Sequence, residues 1–244
     1  MADFTQDIYM IIPKTAEVIV FLFCALTIYR RKKEYILNKT YLVSLCGWSI
    51  YIIMDAILFP IAHIEPFSFG TISVDAGLAS MPMIANILRD IAICAAGVIG
   101  SGFLYASIII RYGEATAKDT RVIILIVAGY LAWAIPTVIF DTIIKIAGRA
   151  YTYFHIGNAI TIFAQITIFF IAVYELVVIY RKVQDKKEKR RILYFISGSS
   201  LIALGIIFFV VVGLLSIQPA YITGPIGHVI WLLAPIAILL GIKK

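Results

Sequence analysis

Charged, amide and imidazole side chains lie inside long apolar stretches of this sequence. An ionisable residue in a membrane-spanning segment usually faces the protein interior or water, because a charge in hydrocarbon is costly. Such side chains can hold a ligand by charge or by hydrogen bonds. The residues that we therefore predict to bind a ligand are Asp55, Asn86, Arg89, Asp90, Asn158, Gln165, His228 and Trp231.

Helical spacing predicts that these residues share a cavity. Asn86 and Asp90 are four residues apart and lie on one face of a helix. His228 and Trp231 are three residues apart, which also gives one face. The polar positions fall at similar depths toward the outer side of their spans. The pattern therefore predicts an outward-facing polar cavity that narrows onto aromatic and small residues.

Structural pairing is the alternative interpretation for several polar residues. Lys14 and Glu17 are three residues apart, and we expect a local neutralised pair. Asp141 and Lys145 suggest a second such pair. His228 is predicted either as a neutral, hydrogen-bonded histidine or as a titrating switch. A tie between helices, serving structure as easily as binding, would join Asp55, Asp90, Arg89 and His228.

Glu175 lies low on the fifth span, apart from the other polar positions. It precedes Arg181 and Lys182 by less than two helical turns. We therefore expect a simple interfacial anchor at this position.

The third span is rich in glycine, alanine and serine, which let helix backbones approach closely. This composition predicts that the third span packs in the middle of the bundle.

Catalytic and metal-binding motifs are absent from the sequence. There is no H-E-x-x-H, no G-x-S-x-G and no acidic metal cluster. Three scattered histidines make a poor metal site. We expect no catalytic residue, no metal and no cofactor, and so no enzyme. The net charge is +7, and the basic residues that produce it flank the apolar stretches, as membrane topology requires. We therefore expect no nucleic-acid partner.

Seven apolar stretches occupy most of the chain. Of its 244 residues, 62% are hydrophobic and 14% charged, whereas soluble domains have about 25% charged residues. About 20 apolar residues cross the hydrocarbon of a bilayer. The sequence therefore predicts an all-α membrane protein, a seven-transmembrane-helix bundle forming a single domain over 1–244. The predicted spans are 8–30, 40–62, 84–110, 121–146, 156–180, 191–216 and 221–242.

The orientation follows from the basic residues. Most of the 21 lysines and arginines fall in the first, third and fifth gaps between spans and at the carboxyl terminus. Cytoplasmic loops carry an excess of these residues. The pattern predicts an outside amino terminus, a cytoplasmic carboxyl terminus and a multi-pass protein of the cell membrane.

The fifth gap, VQDKKEKRRIL, is the most basic segment. Attraction to anionic lipid is the favoured interpretation. The functional alternative is a docking surface for a cytoplasmic signalling partner. The residues concerned are Lys186, Lys187, Lys189, Arg190 and Arg191.

The predicted plan is similar to that of rhodopsins and G-protein-coupled receptors. The seventh span lacks the lysine that binds retinal in rhodopsins, and Ile110 precedes Arg111-Tyr112 where receptors have an acid. The chain more closely resembles the seven-helix sensor modules that precede kinase domains in prokaryotic signalling proteins. This resemblance covers the whole chain, is one of architecture, and implies a sensor whose output requires a separate partner.

Two functions follow as hypotheses. The first is a sensor or receptor-like protein that binds a small molecule or a lipid in the outward-facing cavity and signals through its basic cytoplasmic loops. The alternative is a small-solute or proton-coupled transporter or channel. A transporter needs a polar path through both halves of the membrane, and the inner half offers Glu175 and the serines of the sixth span.

Overall fold

All seven predicted spans form helices in the computed structural model. The structure describes residues 4–61, 83–139, 156–215 and 220–242, without the side chains of 4–10, 58–61, 83–89, 156, 158 and 220–221. These ranges contain no strand, and seven helices are long and apolar enough to cross a membrane, as in a multi-pass membrane protein. The helices are α1 (Phe4–Arg31), α2 (Ile36–Ile61), α3 (Met83–Tyr112), α4 (Glu114–Ala117), α5 (Thr120–Val138), α6 (Ile156–Lys182), α7 (Lys186–Leu214) and α8 (Ala220–Ile242).

Several helices begin earlier than the sequence predicts, and α1, α2 and α7 do so by four or five residues. α7 begins at Lys186 because the Asp185 carboxylate caps its first turn, accepting a hydrogen bond from the Glu188 amide at 2.8 Å. The basic residues 186–191 therefore lie in the first turns of a helix and not in a loop. α2 begins at Ile36 rather than at residue 40. The fourth predicted span continues beyond residue 139, where it lies outside the described residues, as do Asp141 and Lys145.

Six of the long helices form a closed ring. α1 packs against α2 and α8, α2 against α3, α3 against α6, α6 against α7, and α7 against α8. α5 packs against α3 and α6 and keeps much of its surface exposed. The connections at 32–35, 113–119 and 183–185 lie at one end of this ring. We call it the basic end, because it carries Arg30–Lys33 and Lys186–Arg191, and we call the other the opposite end.

Aromatic side chains fill the ring in the half next to the basic end. The Tyr41 ring stacks on Phe195 at 5.8 Å between centroids and meets the edge of Phe103 at 5.5 Å. Phe103 in turn contacts Phe169 at 5.7 Å. All four side chains are buried, and together they join α2, α3, α6 and α7. We call these four residues the aromatic core.

Glycines of α3 let neighbouring side chains reach its backbone. A Cβ atom at Gly97 would lie 2.0 Å from the Trp133 ring of α5, and one at Gly102 would lie 1.8 Å from the Ser44 hydroxyl of α2. Neither distance is sterically possible without a shift. The close approach of α2 and α5 to α3 therefore depends on these glycines, in agreement with the packing role predicted for this span.

A glycine of α7 makes room for a tryptophan of α8 in the same way. A Cβ atom at Gly205 would lie 2.1 Å from Trp231 Nε1, the atom that donates a hydrogen bond to the Ile202 carbonyl at 3.1 Å. We expect Gly205→Ala to destabilise the protein by about 1–3 kcal/mol, because the added methyl overpacks this contact. The measurement is the free energy of unfolding in detergent.

The matched control is Gly213→Ala, in the same helix. Nothing lies within 4 Å of a Cβ atom there. This substitution should leave stability unchanged or raise it by up to about 1 kcal/mol, because alanine has the higher helix propensity. Equal effects of the two substitutions would contradict the packing role of Gly205.

Candidate functional site

A buried ion pair joins α1 and α2 near the opposite end of the bundle. Lys14 Nζ lies 2.6 Å from Asp55 Oδ2. The Lys14 side chain is 2% exposed, whereas that of Asp55 is 39% exposed. The lysine charge is therefore held inside the protein, and the carboxylate that compensates it is accessible from the surface.

Glu17 lies one helical turn deeper and ties three helices together. Its side chain is fully buried. Its Oε1 atom accepts a hydrogen bond from Trp48 Nε1 of α2 at 2.6 Å, and its Oε2 atom lies 2.6 Å from His228 Nδ1 of α8. Both carboxylate oxygens thus have a polar partner, as a buried acid requires.

Helix geometry explains why these residues meet. Glu17 and His228 each lie about 21 Å along their helix from its end at Arg31 or Ile242, so they reach the same depth. Lys14 precedes Glu17 by three residues, which places both on one face of α1. Asp55 follows Trp48 by two turns on α2, which is again one face. We call Lys14, Glu17, Trp48, Asp55 and His228 the buried charge network.

Aromatic rings pack against the histidine. Phe209 of α7 lies 5.7 Å from the His228 ring and 4.8 Å from Trp231, measured between ring centroids. Trp231 also meets Trp48 edge-on at 4.8 Å. The network is therefore separated from the aromatic core by a further layer of rings. Every one of these rings is held by helices of the closed ring.

The structure corrects the local pair predicted within α1. The described contacts of Lys14 and Glu17 run to other helices, because Asp55 reaches the lysine from α2 while Trp48 and His228 occupy both oxygens of the glutamate. Spacing along one helix cannot reveal such partners. The spacing of Lys14 and Glu17 places them on a common face, but which residues oppose that face depends on packing.

The predicted tie between helices is corrected for two of its four members, His228 and Asp55. His228 contacts Glu17 rather than an aspartate, and Asp55 pairs with Lys14. Asp90 is buried in α3. The side chains of the remaining predicted ligand residues in α3 and α6, Asn86, Arg89 and Asn158, lie outside the described residues.

Gln165 belongs to a different part of the bundle. Its side chain is buried between α3 and α5, where a Cβ atom at Gly100 would lie 2.3 Å from its Oε1 atom. Both amide atoms of Gln165 lack a hydrogen-bond partner in the described part of the chain, as does Trp133 Nε1. One turn away, the hydroxyls of Thr137 and Thr161 are 3.0 Å apart. The structure thus brings Asp55, His228 and Trp231 together but not Gln165.

Glu175 is an interhelical partner and not only an anchor. Its Oε2 atom is hydrogen-bonded to Arg111 Nη1 of α3, and both side chains are largely shielded from solvent. The Arg111 guanidinium also lies 4.7 Å from the centroid of the Tyr112 ring. In addition to the predicted interfacial anchor, Glu175 thus forms an ion pair that joins α3 and α6 near the basic end.

The sequence identified most of the network residues without their roles. Lys14, Glu17 and Trp48 were not among the predicted ligand residues, although Glu17 and Trp48 lie at about the depth of His228. Across the described residues, no group of three or more His, Cys, Asp or Glu side chains is arranged to hold a metal ion.

Comparison of the chain with protein-family models, with curated proteins and with solved structures finds no match.

The buried ion pair is predicted to couple α1 to α2 energetically. We expect Lys14→Met and Asp55→Leu each to lower stability, because each leaves the other charge without this partner. The double variant should recover part of the loss, giving a coupling energy of about 1–2 kcal/mol in a double-mutant cycle. The measurement is the free energy of unfolding of the four proteins in detergent.

The control cycle uses Lys39 and Glu34, an exposed pair with a distance of 3.4 Å. Exposed pairs contribute little, and the coupling there should stay below about 0.5 kcal/mol. Additive effects at Lys14 and Asp55 would show that their contact does not stabilise the bundle.

Proposed function

We propose that this chain is a membrane sensor or receptor-like protein that binds a small molecule or a lipid headgroup at the opposite end of the bundle. In this proposal the ligand acts on the buried charge network, and the response leaves through the basic end, which faces the cytoplasm of the cell membrane. A cytoplasmic signalling partner receives it at Lys186–Arg191. The proposal includes no catalysis, metal or cofactor.

The observation that carries the proposal is the unequal exposure of the outermost ion pair. The Asp55 carboxylate is accessible, and its lysine partner is not. A ligand that brings a cation or hydrogen-bond donors can therefore compete for Asp55 without first entering the bundle. Binding of such a ligand would weaken the contact between Asp55 and the buried Lys14, and this weakening is the energetic cost of binding.

The energetic cost of the network supports a functional role. Well-packed apolar residues often stabilise a protein as much as a buried ion pair does, or more. A membrane protein that keeps Lys14, Glu17 and Asp55 at a helix interface therefore gains little stability from them. Intramembrane ionisable residues generally mark ligand or ion sites.

The closed packing beneath the network favours a sensor over a transporter. Between His228 and the basic end lie the Trp48 and Trp231 rings and then the aromatic core, all of them buried. These ring contacts make the centre of that half of the described bundle largely apolar. A ligand held at the network would thus be confined to one side.

Contacts of the network supply a route for the response. Glu17 joins α1 to α2 and α8, and His228 contacts Phe209 of α7. A shift of α1 relative to α2 would therefore change the packing of α7, whose first turns carry the basic residues. The Arg111–Glu175 pair holds α3 and α6 together on the other side of the ring.

Proton-coupled transport is the second candidate, and the contact between Glu17 and His228 favours it. Acids and histidines in contact within a membrane are typical of proton relays. In this alternative the network would carry protons, and the aromatic core would have to open. The two hypotheses differ in whether water reaches the network from one side or from both.

Thiol accessibility along α6 distinguishes the two functions. Single cysteines replace Thr161, Gln165 and Ala172, about 31, 25 and 15 Å from the basic end, in a background without Cys24, Cys46 and Cys94. A membrane-impermeant reagent is applied to each side of sealed vesicles. Because α6 lies away from the buried charge network, the sensor predicts labelling at most from the side of the opposite end, at Thr161, and none at the buried Ala172, whereas a transport path predicts labelling of these positions from both sides.

The matched control is Phe170→Cys, at the depth of Ala172 but 61% exposed toward lipid. It should remain unlabelled from either side, because the reagent needs water. Labelling of one buried position from both sides, together with proton uptake that is lost in Glu17→Gln, would replace the sensor by the transporter.

A further inference from the structure

A groove on the lipid-facing surface lies between α2, α3 and α5. Its volume is about 470 Å³, within the range of about 300–1,000 Å³ that is typical of small-molecule sites. Its walls are formed by Val43 of α2, Val98 of α3 and Val127 of α5, with other largely apolar groups. It is separate from the buried charge network, which lies between α1, α2 and α8.

The groove extends from the basic end to mid-membrane. Lys39 lies at one end, about 5 Å along α2 from Ile36, and Val98 lies at the other, about 21 Å along α3 from Tyr112. The length is therefore about 15 Å, or half of the roughly 30 Å of hydrocarbon in a bilayer. This is the length that one leaflet offers to an acyl chain.

Polar groups along the groove are mostly engaged within the protein. The Tyr105 hydroxyl donates to the Ala117 carbonyl at 2.8 Å, and the Tyr130 hydroxyl donates to the Cys94 carbonyl at 2.9 Å. The Ser44 hydroxyl donates to the Thr40 carbonyl at 2.7 Å. The groove thus presents an apolar surface to its occupant below the level of Lys39.

Lys39 is the cation at the mouth of the groove. Its side chain is half exposed and lies 3.4 Å from the Glu34 carboxylate, which is itself 91% exposed. Such an exposed pair is weak, and the ammonium has three donors. Arg30 and Arg31 at the end of α1 and Lys32 and Lys33 in the following connection lie close to it in sequence, so the local charge is positive.

We propose that this groove binds one acyl chain of an anionic phospholipid from the leaflet at the basic end, with the lipid phosphate against Lys39. The apolar walls hold the chain, and the ammonium selects the charged headgroup. A free phosphate or a soluble anion would leave these walls without an occupant. The inference does not depend on the proposed sensor function.

Native mass spectrometry of the full chain, released from detergent after incubation with a defined lipid, tests the proposal. Phosphatidylglycerol and phosphatidylcholine with identical acyl chains are compared at equal concentration. We expect more bound phosphatidylglycerol, and we expect Lys39→Gln to reduce that preference about fivefold, the effect of one basic residue near a lipid surface. The control Lys33→Gln removes a charge at the same end and should have a smaller effect.

A second pair of variants tests the groove itself. Val127→Trp fills the groove from its exposed side and should reduce binding of both lipids. Ile124→Trp adds the same side chain to an exposed position of α5 outside the groove and should leave binding unchanged. Because both positions face lipid, neither substitution disturbs the buried core.

Three results would overturn the proposal. The first is equal binding of the two lipids by the unaltered chain. The second is a loss of lipid that is the same for Val127→Trp and Ile124→Trp. The third is displacement of the lipid by soluble glycerol phosphate, which would assign the Lys39 site to a free anion.

Discussion

The packing of this bundle depends on a fully buried carboxylate, that of Glu17. Glu17 must have a partner for each oxygen, since hydrocarbon offers none, and the partners come from α2 and from α8. The contact with His228 joins residues near the two ends of the chain and so closes the ring of six helices. The other four helices of the ring, α2, α3, α6 and α7, each pack against their two neighbours. Loss of that contact would remove the polar tie between the first and last spans.

The second constraint is the division of the bundle into two halves of different chemistry. The ion pair of Lys14 and Asp55 and the Glu17 carboxylate lie toward the opposite end, whereas stacked rings and the Arg111–Glu175 pair occupy the half next to the basic end. The rings pack tightly because glycines such as Gly205 remove the side chain that would separate the helices. In the proposed function, a charge network that lies over packed rings allows the protein to sense a ligand without passing it on. This is why the charge network and the aromatic core support the same proposal.

The fold was predictable from the sequence to a large extent, and the site was not. Seven spans of about 20 apolar residues follow from composition, because the membrane leaves an apolar segment little choice but a helix. The early start of α7 was missed, since Asp185 acts as a cap only once the chain turns there. Lys14 and Glu17 were assigned to each other, although their described partners come from distant parts of the sequence.

Local periodicity, then, determined the number of helices, their approximate limits and the face on which each polar side chain lies. Tertiary structure alone decided that Asp55 compensates Lys14, that His228 meets Glu17, and that Arg111 reaches Glu175. The physical reason is that a helix fixes the direction of its own side chains through hydrogen bonds within one segment. The neighbour that each face meets depends instead on how six helices close into a ring and how α5 packs against it.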